Sequence, residues 1–187
     1  MKTLSIVAIC ITVSAGAVAT VYGAESPGRQ MEWPSIVDRD GTIHVPRDYR
    51  TKYEFLGSWS VAGEGQAAKE LHVVYVSPRV AAEYRKSKQF PDGAVLVKEV
   101  FHAQTAQMTT GMVSRADTLK GWFVMVRDAK GRYPNNKLWG DGWGWSWFDA
   151  ADPVKTTSTD YKVNCQACHV PARASNWVYV DGYPPLR

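Results

Sequence analysis

Residues 71–101 read LHVVYVSPRVAAEYRKSKQFPDGAVLVKEVF, and the change of period inside this stretch decides the fold class. Leu71–Val76 is dominated by Val and Tyr, side chains that suit a pleated, half-buried surface, and reads as a strand. Ser77-Pro78 then opens a helix: Ser77 offers a cap, Pro78 suits the first helical position, and Val80, Ala81 and Tyr84 recur at helical spacing. The basic run Arg85-Lys86-Ser87-Lys88 closes it, Pro91-Asp92-Gly93 turns the chain, and Ala94–Phe101 returns as a strand. Working outward, Phe55–Val61 precedes these elements across the turn Ala62-Gly63-Glu64-Gly65. Trp122–Arg127 follows as a fourth strand, ended at Asp128-Ala129-Lys130-Gly131, and Trp143–Phe148 as a fifth. Residues 157–164 read as a helical turn. Strands joined by short turns, with a helix after the second, predict an α+β domain: an antiparallel β-sheet of about five strands packed with helices.

Cys165-Gln166-Ala167-Cys168-His169 is the spacing at which a c-type haem is attached. Each thiol adds to one haem vinyl group, the two intervening residues set the separation, and the adjacent His169 reaches the iron as its proximal, metal-bound ligand. A redox dithiol or half a zinc site would share the cysteines, but zinc needs more ligands than the neighbourhood offers. One such motif predicts a single haem c, covalently attached.

Haem of this kind is attached outside the cytoplasm, and the N-terminus agrees with export to the periplasm. Met1-Lys2 is followed by the apolar residues 4–18 (LSIVAICITVSAGAV) and then by small residues, the pattern of a signal peptide spanning 1–24. Cys10 leaves with it, so Cys165 and Cys168 remain for the haem. The apolar run is short for a membrane span and no longer one follows, so the mature form is expected without one. Residues 25–45 form an extended, polar lead-in and 46–187 the haem domain. The 22 basic and 18 acidic residues leave a formal charge of +4 with no basic run interleaved with aromatics, which argues against nucleic acid as a partner.

An iron held by one histidine has a sixth position, and its occupant separates electron transfer from chemistry. His44, His72, His102, Met108, Met112 and Met125 are the candidates; Met31 and His44 fall in the lead-in, His102 follows the third strand at a solvent rim, and Met125 suits core packing. Strand alternation places Lys98 with Leu96 and Val100, and Glu99 on the opposite face with Val97 and Phe101. Pattern alone reads Lys98 as an edge-strand lysine snorkelling to solvent. The other reading is a buried lysine beside the haem, whose lowered pKa frees a nucleophilic amine. His72 shares a face with Val74 and Val76 and is either a satisfied core histidine or a distal proton acceptor. Trp143, Trp145 and Trp147 fall on one face, to pack a core or wall a haem pocket.

With these residues placed, the chain from Val45 to Arg187 resembles the cytochrome P-460 family, which includes the cytochromes c′-beta. The likeness rests on Val45-Pro46-Arg47-Asp48-Tyr49-Arg50, Glu70-Leu71-His72-Val73-Val74-Tyr75-Val76, Phe90-Pro91-Asp92-Gly93, Val97-Lys98-Glu99, the Trp-rich strand, the haem motif and Tyr183-Pro184-Pro185-Leu186-Arg187, in that order. The resemblance implies a homodimer, a five-coordinate haem with a free distal side, and a lysine, here Lys98, joined to a porphyrin meso carbon. It implies oxidation of hydroxylamine, a small nitrogen-containing substrate, to nitric oxide or nitrous oxide, with electrons passed to an electron-accepting cytochrome. The c′-beta members instead lack the link and bind nitric oxide and carbon monoxide. His72 stands where the enzymes carry a distal arginine, making it the candidate catalytic residue. Apolar Phe123 stands near the expected distal carboxylate, with Asp117 as its substitute.

Overall fold

The computed structural model describes residues 36–64 and 67–187. The expected signal peptide, the lead-in up to residue 35 with Met31, and Gly65 lie outside the described residues. In chain order come helix α1 (Tyr49–Lys52), strands β1 (Glu54–Ala62) and β2 (Ala68–Val76), helix α2 (Val80–Ser87), and strands β3 (Val95–Met108) and β4 (Gly111–Arg127). Strands β5 (Trp139–Gly140), β6 (Trp143–Asp149) and β7 (Asp152–Thr156) follow, then helices α3 (Tyr161–Asn164) and α4 (Gln166–His169) and three 3-10 turns ending at Leu186. The strands form one antiparallel seven-stranded sheet in the order β1-β2-β3-β4-β6-β5, with β7 also on β6. The α+β class holds. No helix among the described residues is long and apolar enough to cross a membrane.

Several local expectations are corrected. Strands β3 and β4 run far past Phe101 and begin far before Trp122, because Ala103–Met108 and Gly111–Ala116 pair with each other as a hairpin arm. Burial in the arm alternates only between exposed and half-buried, so no apolar period announced it. Thr109-Thr110 make its turn, and Gly111 takes the positive φ of 114° that a β-carbon would strain. His102 lies inside β3 rather than after it, paired with Glu70 and exposed. Ser77 does not cap α2: its Oγ accepts from the buried Val95 N–H at 3.0 Å, a ladder donor that outranks a solvent-facing helix end. Lys98 is on no edge, since β3 is paired on both sides.

The sheet is covered on both faces. On one, Ile36, Val37 and Ile43 pack with Tyr49 and Trp139 against Val95, Val97, Val124 and Val126. Each such aliphatic side chain, fully buried, contributes roughly 1.5–3 kcal/mol. Glu99 is buried here too, accepting from the Tyr49 hydroxyl and from Arg50 Nε at 2.6 Å. On the other face, α2 and the C-terminal turns pack over Val74, Val76, Leu96, Met125 and Trp145. The site opens on this second face.

Candidate haem site

Register assembles the sheet wall. Val74 pairs with Lys98, Lys98 with Phe123, and Phe123 with Trp147, so these side chains stand in one row on one face. The neighbouring rows are Val76, Leu96, Met125 and Trp145 on one side, and His72, Val100 and Gly121 on the other. A β-carbon at Gly121 would lie 2.0 Å from the Phe148 carbonyl oxygen, so glycine lets β6 close on β4 beside the wall. A cavity of about 470 Å³ lies between this wall and the C-terminal segment, which contributes Cys165, Cys168, His169, Val178, Tyr179 and Tyr183. The tryptophan face divides its work: Trp145 and Trp147 line the cavity, while Trp143 packs below with Phe90, their rings 5.5 Å apart.

The C-terminal segment is held by short-range bonds. Asp160 caps α3, accepting from the Lys162 N–H at 2.9 Å, and Asn164 Oδ1 accepts from the Thr159 and Asp160 N–H groups at 2.9 and 3.1 Å. Cys165, at φ −131°, leaves the helical region between α3 and α4 and turns its side chain inward, whereas Cys168 is exposed. Both thiols are free. Burial pushes the Cys165 thiol up to about 11, which keeps it protonated.

His169 stands edge-on to Trp145 with ring centroids 5.0 Å apart. Its Nδ1 lies 2.6 Å from the Trp177 carbonyl oxygen, and since a carbonyl only accepts, Nδ1 carries the hydrogen and Nε2 keeps its lone pair. That carbonyl is aimed by successive left-handed residues, Asn176 (φ 57°) and Trp177 (φ 65°), conformations that cost roughly 1–3 kcal/mol each for non-glycine residues. Trp143 Nε1 donating to the Asn176 carbonyl at 3.0 Å, and the Phe90 N–H donating to its side chain at 3.2 Å, offset part of that cost. The motif's spacing points to His169 but says nothing of the backbone oxygen that orients it.

Lys98 Nζ sits over the Phe123 ring, 4.4 Å from its centroid, and that ring tilts on Trp147 at 4.5 Å. Burial holds the Lys98 ammonium below its ordinary pKa, favouring the neutral amine. His72 Nε2 lies 3.2 Å from Glu70 Oε2, and Lys120 pairs with the other oxygen of Glu70. His72 is therefore bound to a side chain, not to a backbone carbonyl. Burial first, then the charge of Lys98, lowers its pKa. Asp117 is exposed on the hairpin arm and lines no part of the cavity; the carboxylate at the cavity is Glu70, which strand alternation from His72 would have placed on the same face. Met108 and Met112 are exposed near the arm's turn, His44 bonds Asp38 at 2.8 Å among the lead-in residues, and Met125 lines the cavity.

The residues fit a haem: a cleft with a mostly apolar lining, a histidine with its Nε2 lone pair free, and free cysteines beside it. Fold and site together define a haem-binding cytochrome built on an antiparallel sheet. Residues 46–180 match the family model Cytochrome P460, and the chain belongs to that family. No curated protein matches the sequence.

Proposed function

We propose that this chain is a periplasmic mono-haem c-type cytochrome that oxidises hydroxylamine and passes the electrons to a partner cytochrome. The observation that carries the reading is a single cavity setting Cys165, Cys168 and His169 against a wall that bears His72 and Lys98. Cys165 and Cys168 would hold the haem through thioethers and His169 Nε2 would bind its iron. When bound, the haem supplies an iron that takes a small nitrogen ligand and accepts its electrons. Val100, Phe123 and Trp147 give the cavity apolar lining, and His72, its pKa lowered by burial, takes up protons. Lys98 would add a third covalent bond: its amine joins a porphyrin meso carbon, an N–C bond replacing one N–H and one C–H, with a peroxide-class oxidant taking two electrons and two protons. Export by residues 1–24 and assembly as a homodimer complete the proposal.

A steady-state assay with hydroxylamine and an artificial electron acceptor tests it. Turnover above that of free haem is expected; none, with an intact haem spectrum, refutes the reading. One observation favours a second reading. Phe123 lies directly opposite Lys98 and its ring tilts on Trp147, an apolar wall suited to a c′-beta type cytochrome that binds nitric oxide or carbon monoxide without turning over. Rapid ferrous carbon monoxide binding without hydroxylamine turnover would select it.

A further inference from the structure

One hydroxylamine taken to nitric oxide sheds three protons and three electrons. A single imidazole saturates after one proton, so the site needs a path from the cavity to water. Glu70 and His72 stand two residues apart on the cavity face of β2. The Glu70 and Lys120 side chains reach solvent, 18% and 34% exposed. A carboxylate can only accept, so His72 Nε2, 3.2 Å from Glu70 Oε2, carries the hydrogen. Nδ1 is left with its lone pair and has no hydrogen-bond partner among the described residues. Lys120 reaches Glu70 through a β-bulge: Val100 pairs with Gly121 and Phe101 with Leu119, leaving Lys120 as the extra residue, re-aimed toward β2.

We infer that His72 and Glu70 form a proton relay draining the cavity, and that Lys120 tunes it. The inference rests on the hydroxylamine reading. A proton from the substrate binds His72 Nδ1, the Nε2–H bond breaks as its proton passes to Glu70 Oε2, and Glu70 releases that proton to water. A water-assisted change of tautomer, one hydrogen leaving Nδ1 as another returns to Nε2, resets the ring before the next transfer. No electron moves in the relay; the electrons leave through the haem to the acceptor cytochrome. Hydrogen bonding from Lys120 first, then from His72, holds the Glu70 carboxyl below its ordinary value, so it starts each cycle ionised. The other titratable groups around His72 are Lys98 on β3, His102 beside Glu70, and Cys165, Cys168, His169, Tyr179 and Tyr183 across the cavity. Lys98 and Lys120 oppose protonation of His72, and Glu70 favours it.

The test is the reduction midpoint of the holoprotein followed against pH, which needs no hydroxylamine. In the wild type the midpoint should change slope where His72 titrates. Glu70→Gln removes the anion and should move that break down by roughly one pH unit, whereas Lys120→Met removes a competing cation and should move it up. His72→Ala should abolish it. Shifts of opposite sign are a signature that mere loss of packing would not produce, and either variant alone decides if the other fails to fold. A break that is absent in the wild type, survives His72→Ala, or stays in place in the variants overturns the relay. Moving breaks without hydroxylamine turnover would remove the proposed reaction and with it the relay's task, leaving only the coupling of His72 to Glu70 and Lys120; turnover with fixed breaks would remove only the relay.

Discussion

Lys98 and Glu99 are adjacent in sequence and point to opposite faces of an interior strand, so substituting them should give opposite phenotypes. Consider Glu99→Ala. The wild-type carboxylate, 3% exposed, accepts from the buried Tyr49 hydroxyl and from Arg50, and Trp122 Nε1 donates to the same hydroxyl at 2.8 Å. Burial and the bond to Glu99 hold the Tyr49 phenol far above its usual pKa, so it remains a donor at any working pH. Loss of its charged acceptor costs about 1.5–3 kcal/mol. The Arg50 side chain is 56% exposed and regains water, so its ion pair adds only about 0.5–1 kcal/mol. The lost methylene adds about 0.8 kcal/mol. Together these predict a loss of about 3–5 kcal/mol for Glu99→Ala, and about 1–2 kcal/mol for Glu99→Gln, which keeps a neutral acceptor. Urea unfolding followed by tryptophan fluorescence should show the midpoint falling at constant slope, with the haem absorbance of the folded protein unchanged because the network lies behind the sheet. A Glu99→Ala loss below about 1 kcal/mol, or equal losses in the two variants, would refute this accounting.

Lys98→Ala should do the reverse, leaving the unfolding midpoint nearly in place while the ferrous spectrum reverts from red-shifted to that of an ordinary c-type haem. In the wild type, mass spectrometry of a digest should find the Lys98 peptide and the Cys165–His169 peptide on one haem; a free Lys98 peptide from matured protein excludes the link. Trp145→Phe should cost about 1–3 kcal/mol in urea unfolding, because the Gly140 carbonyl loses the indole N–H it accepts at 3.1 Å and the ring beside His169 shrinks. Asp92 has its carboxyl pKa lowered below 3.8, chiefly by the hydrogen bond from Arg132. Its stabilisation is therefore full above that value and fades as pH falls through the lower folded-state pKa. Asp92→Asn should be less stable than the wild type at pH 7, by an amount that shrinks in acid; a difference constant down to pH 2 would contradict it.

The proposed thioether attachment was legible from residues 165–169, because the Cys-x-x-Cys-His spacing is a property of five consecutive residues and needs no fold to express it. Alternation likewise put Lys98 and Glu99 on opposite faces, since a strand's period of two is local. Which face met what was not local. By strand pattern alone Lys98 read as an edge residue, against the haem-side lysine that the resemblance implied; pairing with both β2 and β4 placed it in a sheet interior, facing Phe123 across the strand gap. The hairpin arm stayed hidden because its partner strand, rather than any apolar period, stabilises it. Glu70 sat in view two residues from His72, yet its pairing with Lys120 depends on a bulge in β4, a strand two positions across the sheet. The oxygen that orients His169 belongs to the backbone of Trp177, and a backbone carbonyl is the same in every residue. Sequence thus determined which side chains could do chemistry; register, a bulge and a left-handed turn decided which of them meet, because those depend on contacts between segments far apart in the chain.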